Sequence, residues 1–343
     1  MNISRPAPQR KPTQYDVARE AGVSQTTVSL VLNNPDILAV PEDTRQKVFA
    51  AIEKLGYVPN SAARMLRTSR TFSLACIIPM ITNPFYPAFV SGIQDVAEQQ
   101  GYEVIIYNTH GCAEKETRFL RSVQQGRADG VIGVFFFMRA VDLSPLLEKG
   151  VPVVRLETHR QRTGRWPLDN IFVDNAAAAH TATSYLLSRG HQRIAMITGP
   201  GGPRKARREG YLQALAQHNH ALEPCVEEVS QYDETGGYQG MQRLIQTGYN
   251  PQAIFAANDL MAIGAMMAAF DAGLRVPQDV AVVGFDDIPT AKLVTPALTT
   301  IRQSQEEMGR MAAELLLERL SGQESGDGRV IEMPFELVKR NSA

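Results

Sequence analysis

From Ser73 onward the chain alternates. Each short apolar run of strand length is followed by a helix-length amphipathic segment. This alternation restricts the fold more than any other feature of the sequence. Strands that recur after crossover helices pair in parallel, and a parallel sheet needs helices on both faces. Strands are expected at 73–78, 103–107, 130–135, 152–156, 170–173, 193–198, 226–229, 253–257, 280–285 and 331–337. Helices are expected at 87–100, 114–125, 176–189, 205–218, 235–247, 260–272 and 305–320. Roughly 270 residues is long for one such sheet, so two doubly wound sub-domains with a cleft between them are expected. Ligands of such sheets bind beyond the carboxyl ends of the strands. No internal sequence repeat is strong enough to add to this.

The first 70 residues are different. They hold ten Lys and Arg against six Asp and Glu, a net of +4, whereas the rest holds 25 against 30, a net of −5. The overall charge of −1 therefore conceals a small basic head on an acidic body, the electrostatic footprint of a head that meets phosphate. Thr13 and Asp16 have capping-box spacing and open a helix over 15–21, with Val17, Ala18 and Ala21 on one face and Gly22 at its end. Ser24 caps a second helix over 25–32 with Val28, Val31 and Leu32 inside. Pro41, Glu42 and Asp43 begin a third, which runs to Leu55, packs through Val48, Ile52 and Leu55, and closes at Gly56. Two short helices joined by a tight turn present the second to a DNA major groove, and Gln25, Thr26 and Thr27 at its start are residue types that reach base edges. From this pattern alone, a three-helix packing module without DNA contact is the alternative.

The stretches YDVAREAGVSQTTVSLVLN and VPEDTRQKVFAAIEKLGYVPNSAARMLRT resemble the DNA-binding head of the LacI/GalR family of bacterial transcription regulators, in order and in spacing across 14–68. In the body, NPFYPAFVSGIQDVAEQQGYEVIIYNT, LLSRGHQRIAMITGP and IFAANDLMAIGAMMAAFDAGLRVPQDVAVVGFDDIP resemble that family's periplasmic-binding-protein-like effector domain. The resemblance implies an all-α helix-turn-helix head on an α/β body of two doubly wound sub-domains. It divides the chain into a flexible arm at 1–12, the helix-turn-helix domain at 13–58, a hinge helix and linker at 59–70, and the effector-binding and dimerisation domain at 71–340.

The resemblance also implies roles. Gln25, Thr26 and Leu30 occupy the sequence-reading positions of the recognition helix. Leu30 stands where relatives frequently carry Arg, and a leucine cannot donate a bidentate hydrogen-bond pair to guanine. Tyr15, Ser24, Thr27, Ser29 and Asn33 contact or orient phosphates, and Tyr57 and Asn60 help anchor the head. Ala63, Leu66 and Arg67 lie in the hinge segment, where Leu66 wedges into the central base step and kinks the duplex. In the body, Asn258 and Asp286 end their strands facing the cleft, where amide and carboxylate pair with sugar hydroxyls. Arg207 forks onto the ligand. Phe85 or Tyr86, Phe172 and Tyr232 offer apolar platforms for a sugar ring or, each taken alone, read equally as core aromatics, and Glu157 and Asp174 are hydroxyl acceptors at strand ends. Arg204, Lys205 and Arg208 read as a solvated helix face, and Asp287 as a helix cap or an interface residue.

Three features depart from the family pattern. The loop GPGGPRKARREGY is two residues shorter than usual, which loosens the register of Arg207. The basic stretch 159–170 holds the only tryptophan, Trp166, and is placed to reshape the cleft mouth. DNAAAAHTATSYL has alanine where glycine is frequent.

Other function classes fare worse. No GxGxxG, P-loop, GxSxG or metal-spaced His pair is present, the six His are scattered, and Asp286 beside Asp287 in sequence is not by itself an acid–base pair. An enzyme, a metal or a cofactor is therefore not expected. An exported sugar-binding transport protein is opposed by the polar, basic N-terminus and by the head itself. Three scattered Cys suggest free thiols in a reducing cytosol. The expected protein is a cytoplasmic, nucleoid-associated homodimeric repressor on a pseudo-palindromic operator, controlled by a small-molecule effector such as a sugar. Nothing after Lys339 offers a leucine-heptad tail for tetramer formation.

Overall fold

The computed structural model describes residues 10–33, 40–58, 65, 68–157, 159–160, 166–218 and 223–343. Asn60, Ala63, Leu66 and Arg67 lie outside the described residues, as does the side chain of Asn33. The chain divides into two compact units, Met1–Thr71 and Phe72–Ala343.

The first unit contains α1 (Gln14–Ala21), α2 (Gln25–Asn33) and α3 (Glu42–Leu55). Thr13 and Asp16 close the expected capping box on α1. Gly22 ends it at φ +66°, a left-handed conformation that glycine adopts without steric cost. Ser24 caps α2 through its Oγ, which accepts from the Thr27 amide at 3.0 Å. Val17, Ala18, Val28, Val31, Val40, Val48 and Ala51 form the shared core.

The second unit contains two six-stranded sheets. The first orders its strands β11-β5-β4-β3-β1-β2, built from β1 (Ser73–Ile78), β2 (Glu103–Asn108), β3 (Gly130–Gly133), β4 (Val153–Glu157), β5 (Leu168–Phe172) and β11 (Val330–Glu332). The second orders them β12-β10-β9-β8-β6-β7, built from β6 (Ile194–Thr198), β7 (Cys225–Glu228), β8 (Ala253–Ala256), β9 (Ala281–Asp286), β10 (Thr299–Gln303) and β12 (Phe335–Val338). Every pairing is parallel except β10 with β12. The five sequential strands of each sheet follow the same order, 2-1-3-4-5, so the architecture repeats although the sequence does not.

Helices cover both sheets. The first carries α4 (Phe85–Gln99), α5 (Ala113–Gln124) and α10 (Gln305–Ser321), and the second carries α6 (Asn175–Ser188), α7 (Arg204–His218), α8 (Glu234–Gln246) and α9 (Asp259–Asp271). Small residues allow the helices to approach closely. A Cβ on Gly210 of α7 would stand 2.0 Å from the carbonyl O of Ala176 in α6, and the alanine run of α6 is the other side of that contact. A Cβ on Gly92 or Gly309 would similarly meet backbone oxygen at 2.0 Å, between α4 and α10.

The chain passes from one sheet's sub-domain to the other three times: between β5 and α6, between β10 and α10, and between β11 and β12. The third passage corrects an expectation. The run 331–337 is not one strand but two, β11 and β12, in different sheets. Pro334 lies between them and has no amide hydrogen to extend a ladder. The run 130–135 also ends early, at Gly133. The amides of Phe136, Phe137 and Met138 donate instead to the fully buried carboxylate of Glu116, which turns the chain away from the sheet. β10 was not expected as a strand at all. Among the described residues, no helix is long and apolar enough to cross a membrane.

Candidate functional site

On the head, α2 separates its residues by face. Val28 and Val31 are fully buried, while Ser24, Gln25, Thr26 and Leu30 are exposed, Leu30 by 41 %. Thr26 and Leu30 are four residues apart, so they stand one above the other on the helix surface. Tyr15 is 62 % exposed. Thr27 and Ser29 are half-buried, and the Thr27 hydroxyl lies 2.8 Å from that of Ser24. Tyr57 packs its ring against the core of the head. Capping and packing thus occupy Ser24, Thr27 and Tyr57, while Gln25, Thr26 and Leu30 are presented outward.

In the body, a cavity of about 900 Å³ opens between the two sheets' sub-domains. One wall comes from residues 79–80, 82–83, 85–86, 110–111, 134–139, 155–157 and His159 of the first, and the other from residues 200, 202–203, 205–207, 209, 230–233, Asn258 and Asp286 of the second. Strands β1, β3, β4 and β9 end at this space, as expected for the carboxyl edges of doubly wound sheets.

Arg207 and Asp286 lie at its floor. The guanidinium carbon of Arg207 sits 3.6 Å from the centroid of the Phe285 ring. Its Nε donates to Asn175 Oδ1 at 2.7 Å, and its Nη1 donates to the carbonyl O of Ala257. Its Nη2 is 3.7 Å from Asp286 Oδ1, an ion-pair distance. Asp286 accepts from Gln303 Nε2 at 2.7 Å, and Gln305 Nε2 donates to its backbone carbonyl. Burial pushes the Asp286 carboxyl up to about 6, against the opposing pull of Arg207. The same burial lowers the pKa of Arg207, so desolvation outweighs mutual attraction for both partners. Asp286 also has φ +117°, unusual for a residue other than glycine, and that backbone turns its side chain off the end of β9.

Around this pair stand Phe85 and Tyr86 at the start of α4, with ring centroids 5.1 Å apart, and Tyr232 from the opposite wall. The Tyr232 hydroxyl donates to the carbonyl O of Gly199 at 3.0 Å. A Cβ on Gly199 would lie 2.7 Å from that ring, so glycine is needed there. Asn258 lines the cavity but is also structural. Its Oδ1 caps α9 by accepting from Met261, and its Nδ2 donates to the carbonyl O of Tyr232. Glu157 pairs with Arg155, two residues before it on β4.

The cavity thus brings together Phe85, Tyr86, Glu157, Arg207, Tyr232, Asn258 and Asp286. It does not include Phe172 or Asp174. Phe172 is 3 % exposed inside the first sheet, and the Asp174 carboxylate caps α6 by accepting from Ala176 and Ala177. The shortened loop leaves Arg207 in the cavity. Lys205 and Arg208 are exposed, as expected of a solvated face, though Lys205 also lines the cavity, and half-buried Arg204 pairs with Glu228. Asp287 is not a helix cap: it bonds Arg302 at 2.8 Å and Arg340 at 2.6 Å. Of the basic stretch, His159 lines the cavity, Trp166 does not, and residues 161–165 lie outside the described residues. Asn83, Asn175, Gln303 and Arg155 line the cavity without having been anticipated. The signals were faint: polar residues at strand-to-helix turns and, for Arg155, one charge within the apolar run VPVVRL.

Residues 13–60 match the family of bacterial regulatory proteins, lacI family, and residues 183–343 match the periplasmic binding protein-like domain. The ribose operon repressor of Escherichia coli strain K12 is 36 % identical, over 96 % of this chain and 99 % of that protein. Among solved structures, the Lac repressor dimer bound to operator and an anti-inducer has a TM-score of 0.81 at 27 % identity, over 97 % of this chain and 99 % of that one. The transcriptional regulator CelR in complex with cellobiose has a TM-score of 0.68 at 30 % identity, over 97 % and 100 %. On head, body and length together, this chain belongs to the LacI family of DNA-binding transcriptional regulators.

Proposed function

We propose that the protein is a repressor that binds a pseudo-palindromic operator as a homodimer and releases or tightens on it in response to a sugar or related metabolite in the cavity. Gln25, Thr26 and Leu30 read base edges. Tyr15, Ser24, Thr27, Ser29, Asn33, Tyr57 and Asn60 hold the backbone, and Ala63, Leu66 and Arg67 engage the minor groove. Twin heads impose half-site symmetry on the operator. Phe85, Tyr86, Glu157, Arg207, Tyr232, Asn258 and Asp286 contact the effector. Its site of action is the cytoplasm, on the nucleoid.

One observation carries this assignment. The Arg207–Asp286 pair is bonded to Asn175 and Gln303, which stand beside two of the three passages between the sub-domains. A ligand that displaces or reinforces those bonds acts directly on the segments about which the sub-domains can turn. It shifts operator affinity only by its differential affinity for the two arrangements. The test is Asp286→Ala, assayed by operator binding with and without effectors found in a thermal-shift screen of sugars and nucleosides, since a ligand of the folded state raises the midpoint. The variant keeps operator binding and loses the response. A response that persists overturns the cavity assignment.

A further inference from the structure

Strand β4 lies within the first sheet, between β3 and β5, yet it carries an arginine. Arg155 is 4 % exposed. Its Nη2 donates to the carbonyl O of Met138 at 3.2 Å and pairs with Glu157. Its Nε and Nη1 have no hydrogen-bond partner among the described residues, and the side chain lines the cavity.

A guanidinium has five donors and no acceptor capacity, and burying donors unpaired is unfavourable. Arg319 in the same sub-domain shows what a purely structural arginine looks like here. Its side chain is 3 % exposed, its Nε and Nη2 each bond an oxygen of Asp169, and its Nη1 bonds the carbonyl O of Gly326. Arg155 instead keeps two nitrogens for something the chain does not supply.

We infer that the effector presents an oxyanion, a carboxylate or a phosphate on a polyhydroxylated carbon skeleton, to Arg155. This rests on the cavity being the effector site. The charges lining the cavity balance, Arg139, Arg155, Lys205 and Arg207 against Glu157, Glu209, Asp233 and Asp286, so the preference for an anion is local to Arg155. Of the cavity's carboxylates, Glu209 is exposed and accepts from Gln213, Asp233 caps α8, and Asp286 faces Arg207 and Gln303. Glu157 pairs with Arg155, and burial pushes its carboxyl up, which weakens it as a counter-charge; Glu116 and Asp142 act on the guanidinium from further away, and the Phe135 ring lies 5.9 Å from it. Lys205, Arg139, His110 and His159 line the same space but are exposed, and Arg139 pairs with Asp142, so buried Arg155 is the donor on which the inference stands. An oxyanion supplies several lone pairs, neutralises the guanidinium and can accept from it in the bidentate geometry that a single hydroxyl cannot match.

The test uses the full chain and two probe sets, ribose, ribonate and ribose 5-phosphate, and glucose, gluconate and glucose 6-phosphate. Binding is read by thermal shift and by calorimetric titration, with sulfate at matched ionic strength as the control for non-specific anion effects. At least one anionic probe binds more tightly than its neutral parent, and whether it is the aldonate or the phosphate identifies the source of the oxyanion. Arg155→Met weakens that probe roughly 10- to 100-fold, as expected for a lost hydrogen bond to a charged group, and weakens the neutral parent by less, so the anion's advantage over its parent is lost. Arg155→Lys, which keeps the charge beside Glu157, falls between the two and guards against a folding defect. Neutral probes that bind as well as their anions, or anions indifferent to Arg155, overturn the inference. Neutral binding that is lost in Arg207→Leu leaves the cavity assignment standing in that case, and no binding by any probe overturns both.

Discussion

Asp286→Asn separates the role of this carboxylate in stability from its role at the cavity. The carboxyl ordinarily titrates near 3.8 and is raised to about 6 in the fold. A raised acid favours its neutral form, so its contribution to stability is fully present below about pH 3.8 and is lost as pH rises through about 6. The gap of about 2 pH units, at about 1.4 kcal/mol each, means that ionised Asp286 destabilises the protein by about 3 kcal/mol at pH 7.5. Asparagine is a fixed copy of the neutral form. It keeps an oxygen for Gln303 Nε2, and Arg207 stays held by Asn175, the Ala257 carbonyl and the Phe285 ring. The charge of Asp286 also raises the carboxyl of buried Asp259, so its removal relieves a second group in the same direction. Asp286→Asn is therefore more stable than the parent by about 3 kcal/mol at pH 7.5 and by only about 1 kcal/mol at pH 4.5. For a body of this size the larger figure raises the unfolding midpoint by roughly 6–12 °C. Calorimetry of the unliganded protein at both pH values reads the difference. No gain at pH 7.5, or an equal gain at both, refutes the reasoning. The gain comes with a weakened effector response, the pattern of a residue retained for function at a cost in stability.

Three further substitutions test other parts of the argument. Ser24→Ala removes the α2 cap and destabilises the head by about 1 kcal/mol, read by urea unfolding. Gly210→Ala forces a Cβ against the Ala176 carbonyl and destabilises the body by about 1–3 kcal/mol, read as a fall in its midpoint with the head unaffected. Leu30→Arg restores a guanine-reading side chain on the exposed face of α2 and shifts operator preference toward guanine at one position per half-site, read by selection from randomised operators.

What was legible in the sequence is what local rules control. The capping box at Thr13, the glycines at Gly22 and Gly56 and the strand–helix alternation from β1 through β9 each follow from a few neighbouring residues, and each appears close to where it is expected. The unexpected features depend on partners distant in sequence. Nothing near Phe136 indicates that its amide will donate to Glu116, 20 residues earlier, and end β3 there. The run 331–337 looks like one strand because its apolar residues do not record that two sheets share it; Pro334 is the single local hint. At the cavity, strand-end polar residues were the right class to choose, but the choice within that class required the structure. Asp174 and Asn175 are adjacent at one turn, yet the first is consumed by capping α6 while the second bonds Arg207 at the cavity floor. Both have the chemistry of a hydroxyl partner. Only the direction in which the chain leaves β5 decides which of them faces a ligand. That direction is set by the packing of α6 on α7 through Gly210, a contact made some 35 residues further along the chain.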